Sequence, residues 1–152
     1  AATARSGRVY DTILHPTDGS EGSADAAAHA IDLAGRYGAS LHVLYAVETD
    51  MVPDADTLNI YTALEGAGET AVDEVVERAK EAGVESVQAS IARGRPHRVI
   101  VEYVEDEDVD LVVMGTHGRT GIERYLLGSV AERVVRTCPV PVLTVRATDE
   151  EA

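Results

Sequence analysis

Short apolar runs alternate along this chain with longer stretches whose apolar residues recur at helical spacing, and that alternation restricts the fold more than any other feature. Val9–His15 reads as a strand, closed by Pro16 and the turn-forming Thr17, Asp18 and Gly19. Ser20 or Ser23 can cap a helix reaching about Tyr37, with Ala24, Ala27, Ala28, Ile31 and Ala34 as its narrow apolar face and Gly38 as its stop. Ser40–Val47 is a second strand. After a loop containing Pro53, a helical pattern runs from Thr57 to Ala82 and closes at Gly83. Ser86–Ala92 is a third strand, and Pro96 is placed to open a helix through Glu105. Leu111–Met114 is wholly apolar, as suits the middle of a parallel sheet. A glycine-rich loop leads to a helix from Ser129 to Arg136, and Val142–Val145 follows Pro139 and Pro141 as the fifth strand. Ala1–Gly7 and Thr148–Ala152 read as tails.

Strands separated by helical crossovers predict an α/β fold: an open five-stranded parallel sheet with right-handed connections and helices on both faces. At roughly 100–200 residues per domain, the 152 residues form one unit. Such sheets bind ligands outside the carboxyl ends of their strands, where strand order reverses. Two segments are expected to meet there, Pro16–Ser20 after the first strand and the loop that starts at Gly115 after the fourth.

Charge narrows the partners. Asp and Glu number 27 against 13 Lys and Arg, a net charge of −14, and Lys80 is the only lysine. So anionic a surface repels nucleic acid and anionic membranes. Phe and Trp are absent, which leaves only six tyrosines on which bases could stack. No run approaches the ~18 apolar residues of a membrane span, and the start lacks a basic-then-apolar signal pattern. A single cysteine neither staples a secreted fold nor builds a thiolate metal site. A cytoplasmic domain without a nucleic-acid or membrane partner is expected.

The segment from Gly115 to Ser129 carries the most chemistry. Gly115 and Gly118 would let backbone N–H groups approach a ligand with no Cβ in the way. Gly128 and Ser129 open the next helix, where free N–H groups and the helix dipole favour an anion. The Ser129 hydroxyl is a phosphate donor or simply the helix cap. Any one of these glycines serves a turn equally well; together, in this context, they point to phosphate. Between Gly115 and Arg136 four arginines meet two glutamates, a local +2, so Arg119 and Arg124 are available to screen phosphates.

Other patterns exclude more than they offer. Gly66-Ala-Gly68 resembles part of a dinucleotide fingerprint but lies inside a helical stretch and follows no strand. There is no G-x-x-x-x-G-K-[ST] loop and no G-x-S-x-G nucleophile elbow. His15, His29, His42, His97 and His117 show no i, i+4 pair and no HExxH, and Glu105–Asp110 lacks calcium-loop spacing, so no metal site is expected.

The spacing Gly115-x-x-Gly118, nine residues, then Gly128-Ser129 resembles the ATP-binding signature of the universal stress protein family. Ile13-Leu-His-Pro-Thr-Asp-Gly-Ser20, Gly94-Arg-Pro-His97 and Pro139–Val145 resemble further segments of that family, from about Arg8 to Arg146. The resemblance implies a Rossmann-like fold of the adenine nucleotide alpha-hydrolase kind, ATP or another adenine nucleotide as ligand, and Mg²⁺ or Mn²⁺ arriving on the phosphates. It puts Pro16, Thr17 and Asp18 in the binding segment after the first strand. Asp18 would then accept hydrogen bonds from the ribose or orient the adenosine; the alternative is an Asx-turn residue. Backbone at Ala46 or Val47 would read the adenine edge, Met114 and Gly115 would line the ribose, and His117, Gly118, Gly128, Ser129 and Val130 would hold the phosphates, with Arg119 beside them. It also implies a homodimer in which the last strand (Val140, Val142, Leu143, Val145) pairs antiparallel with its copy.

Three functions follow. The first is a stress-response or regulatory protein that holds ATP without consuming it; the others are a slow ATP hydrolase or phosphotransferase, and a structural dimer with an empty site. Hydrolysis would need His117 to orient water and Arg119 to supply charge, without a phosphate-binding lysine. Turnover is therefore expected far below the ~1–10³ per second of ordinary enzymes.

The acidic, lysine-poor composition fits a halophilic protein. Repulsion among excess carboxylates weakens as the screening length falls from ~10 Å at 0.1 M salt to ~3 Å at 1 M. The melting temperature is expected to rise from low to molar KCl, and a flat or falling series would remove the halophilic reading.

Overall fold

The computed structural model describes residues 7–48, 57–117 and 127–147, with side chains throughout except at 57–62. In chain order it contains β1 (Thr12–Pro16), α1 (Glu21–Tyr37), β2 (Ser40–Val47), α2 (Thr57–Glu81), β3 (Val87–Arg93), α3 (Pro96–Asp106), β4 (Leu111–Gly115), α4 (Ser129–Thr137) and β5 (Val142–Val145). The sheet order is β3-β2-β1-β4-β5 with every neighbour parallel. The expected open parallel sheet is present, and its order reverses between β1 and β4. Val9 and Tyr10 precede β1 instead of opening it, because pairing with β2 starts at Thr12 and Ser40.

Strand alternation builds a core on each face. Ile13, Leu41, Val43, Tyr45, Leu111 and Val113 pack with α1 and α2 on one side. Leu14, Leu44, Val112 and Met114 pack with α3 and α4 on the other. Each fully buried Leu or Ile among them contributes roughly 1.5–3 kcal/mol of transfer free energy.

Helix α1 begins where Ser20 accepts a hydrogen bond from Ser23 N–H (3.2 Å) and ends at Gly38, whose φ of 65° is left-handed. Its buried face is Ser23, Ala26, Ala27, Ala30, Ile31 and Ala34. Ala24 and Ala28, expected on that face, are exposed. In a run so rich in alanine, composition does not fix the helix rotation; the observed i, i+3, i+4 spacing through Ser23 does. Gly66 and Gly68 lie inside α2, as their helical context requires, and a Cβ on Gly68 would sit 2.7 Å from the Tyr45 ring. That glycine serves helix-on-sheet packing. Among the described residues no helix is long and apolar enough to cross a membrane.

The reversal point has its own hydrogen-bond logic. Pairing of β1 with β2 extends to Pro16 and Leu44, and Thr17 N–H still donates to Leu44 O (2.9 Å). Pairing of β1 with β4 stops earlier, at Leu14 and Val112. Val112 N–H is directed to β5, where it meets Pro141 O, so Val113 directs its own backbone groups toward β1. The next donor from β1 would be residue 16, and proline has no N–H. The His15 ring supplies the missing bond, with Nδ1 3.0 Å from Val113 O. A carbonyl only accepts, so Nδ1 carries the proton and Nε2 presents a lone pair.

His15 is fully buried and its Nε2 has no hydrogen-bond partner among the described residues. Burial lowers its pKa from 6.5 to about 4; Arg78 pushes in the same direction, while the Val113 bond and Asp18 oppose it. The unfolded chain therefore takes up a proton before the folded one does. Stability contributed by neutral His15 is complete above pH 6.5 and is lost as pH falls toward 4, about 3 kcal/mol in all. Between pH 7 and 5 the protein is expected to lose about 2 kcal/mol more than a His15→Phe variant does in urea titrations. Parallel losses would show that His15 is not the group responsible.

Candidate functional site

Parallel strands deliver all their carboxyl ends to one edge of the sheet, so segments far apart in sequence converge there. After β1, Asp18 Oδ1 accepts from Ser20 N–H (2.9 Å) and from the Ser23 hydroxyl (2.7 Å), while Asp18 N–H donates to Ser23 Oγ (3.1 Å). Asp18 thus forms an Asx turn that sets the start of α1, with one carboxylate oxygen engaged in it. Thr17 is buried, and its hydroxyl accepts from Gly19 N–H (3.2 Å).

After β4, Met114 is buried and Gly115 meets the first turn of α1. A Cβ on Gly115 would lie 3.1 Å from Gly22 O, and one on Gly22 would lie 3.2 Å from His117 O. These two glycines let the backbones of β4 and α1 touch, so the bare Cα of Gly115 faces protein. Gly22 carried no sequence signal; it reads as an ordinary small residue near a helix start. Thr116 N–H donates to Val145 O (3.1 Å), and Thr116 O accepts from Gly128 N–H (2.7 Å). This second bond joins the end of β4 to the start of α4. The His117 ring has Nδ1 3.0 Å from Thr116 Oγ1, and its buried Nε2 has no partner among the described residues.

Helix α4 starts at Gly128 with no side-chain cap, so Ser129 and Val130 lie in a first turn whose N–H groups point out of the helix end. Gly118, Arg119 and Arg124 lie outside the described residues. On the other flank, Val47 O accepts from Gly94 N–H (2.9 Å), so its carbonyl is taken by the segment after β3. Ala46 has the opposite orientation: like Leu44, it directs its backbone toward β1, beyond the last β1–β2 pair. Of the two candidates for reading a base edge, Ala46 is the one facing the crevice.

Beside this crevice a cavity of about 220 Å³ is lined by Glu48, Arg95, Pro96, His97, Ser129, Val130 and Arg133. In the sequence Gly94–His97 stands out only as a family-like segment, and Arg133 only as part of the local positive charge between Gly115 and Arg136. The packing of α3 against α4 brings them together. Among the described residues no three His, Cys, Asp or Glu side chains gather as a metal site.

The fold and this edge define a doubly wound α/β domain with a crevice at its topological switch point, flanked by a helix N-terminus. The family model of the universal stress protein family matches residues 9–146. Universal stress protein MJ0531 of Methanocaldococcus jannaschii is 39% identical over 147 residues, 94% of this chain and 86% of that one. Among solved structures, hypothetical protein MJ0577 superposes with a TM-score of 0.84 at 29% identity, over 93% of this chain and 99% of its own. A universal stress protein in complex with cAMP superposes with a TM-score of 0.73 at 30% identity, over 92% and 99%. The chain belongs to the universal stress protein family.

Proposed function

We propose that this protein binds ATP, or another adenine nucleotide, at the carboxyl ends of β1 and β4, as a regulatory protein of stress response that holds its ligand without rapid turnover. The observation that carries this is the Thr116–Gly128 bond, which sets the uncapped first turn of α4 against the end of β4 at the point where strand order reverses. Free N–H groups and the helix dipole there suit phosphate, and the relative in complex with cAMP supports an adenine nucleotide. Ser129 and Val130 hold the phosphates, Ala46 reads the base, and Pro16, Thr17, Asp18, Met114 and Gly115 form the floor between them. Mg²⁺ or Mn²⁺ enters on the phosphates.

Denaturing the purified protein and chromatographing the supernatant is expected to release an adenine nucleotide. Gly128 has φ of −65°, which valine tolerates, so Gly128→Val is expected to keep the fold while weakening ATP binding at least about tenfold. Gly118→Val is expected to act likewise. Unchanged ATP affinity in both folded variants would overturn the proposal, and rapid multiple-turnover phosphate release from MgATP would replace it with an enzyme.

We further propose a homodimer through β5. This strand is a sheet edge, and Leu143 leaves 37% of its surface exposed while Val145 is buried. Val140 and Val142 pack inward against the α3–α4 core, so Leu143 is the residue to change. Light scattering at micromolar concentration is expected to give a dimer that Leu143→Lys dissociates; a monomeric parent protein would overturn it.

A further inference from the structure

The cavity between α3 and α4 is lined mainly by cationic and polar side chains. In a protein of net charge −14, two guanidiniums, Arg95 and Arg133, line it with His97 and the Ser129 hydroxyl. Arg133 lies one turn beyond Ser129 on the same helix face. Its helical neighbour Glu132 bonds Arg136, and among the described residues no carboxylate pairs with Arg133. Glu48 is the only acidic residue on the wall, and it is exposed at the end of β2, where water and salt weaken its field. The His97 pKa lies below the usual imidazole range, through desolvation and then through the fields of Arg133, Arg98 and Arg95. Positive potential is concentrated at this place.

Size and position complete the case. At about 220 Å³ the cavity falls short of the roughly 300–1,000 Å³ that whole small-molecule ligands occupy, so it suits one end of a ligand. Ser129 and Val130 belong both to its wall and to the phosphate-binding turn proposed above. A chain of phosphates seated on that turn would continue into the cavity, whereas a monophosphate would stop short of it.

We infer that this cavity receives the terminal phosphates of a nucleoside triphosphate, and that Arg133 and Arg95 make the site prefer a triphosphate to a monophosphate. This rests on the nucleotide-binding reading and goes beyond it in naming how many phosphates the site selects. Guanidinium groups match phosphate oxygens in geometry and stay charged at every relevant pH. Each contact would exist with ATP and be missing with AMP.

The test is calorimetric titration of the full chain with MgATP, MgADP and AMP. The parent protein is expected to bind ATP at least about tenfold more tightly than AMP. Arg133→Ala and Arg95→Ala are expected to lower ATP affinity about tenfold while leaving AMP within about threefold, and Arg133→Lys to recover part of the loss. Both arginines are exposed, so the variants are expected to melt with the parent. Equal affinities for ATP and AMP in the parent, or equal losses for both in Arg133→Ala, would overturn this inference and leave nucleotide binding standing. Absence of binding by any of the three nucleotides would overturn both.

Discussion

Pro16 has no backbone N–H to give to β4, and the carboxyl-end edge of the sheet is organised around that missing donor. Pairing between β1 and β4 ends at Leu14 and Val112, while β1 stays paired with β2 for two residues more. A gap in a parallel sheet would leave Val113 O buried without a partner, at a cost of about 1–3 kcal/mol. The His15 ring fills that role from β1 itself. The strands are thus free to part at their carboxyl ends, where the turn at Asp18 and the backbone after Gly115 take over. The bond demands a proton on Nδ1 and burial keeps the imidazole neutral, so the geometry of the crevice is tied to a group that resists protonation.

Close backbone approach is the second requirement. Gly22 and Gly115 stand where a side chain on either would press on the other segment's carbonyl oxygen or carbon. The alanine face of α1 serves the same end on a larger scale, letting a helix lie close over β1 and β4. With the first turn of α1 held against β4 and the first turn of α4 tied to Thr116, two helix N-termini flank one edge. That arrangement suits an anion, in a chain whose remaining surface repels anions.

Charge and fold therefore act at different scales. The long-range field of the −14 chain disfavours polyanions such as nucleic acid. A small anion in the cavity beside α4 would meet the Arg95 and Arg133 side chains that line it, where local charges outweigh distant screened ones.

The sequence by itself determined the order and type of every described element, because apolar period and turn residues are local properties. Ser40–Val47 and Val142–Val145 could be read to the residue, since Gly38 and Pro141 bracket them. It also displayed Gly128 and Ser129, whose meaning depends mainly on their chain neighbours. Only the tertiary structure decided the rotation of α1, which a run of alanines leaves open, and the reason for Gly115, which is contact with Gly22. His15 as a substitute backbone donor, Ala46 over Val47 as the residue facing the crevice, and the meeting of Arg95 with Arg133 were likewise decided there. Each depends on which strand or helix lies alongside, and adjacency in a parallel sheet joins residues whose separation along the chain leaves no local trace.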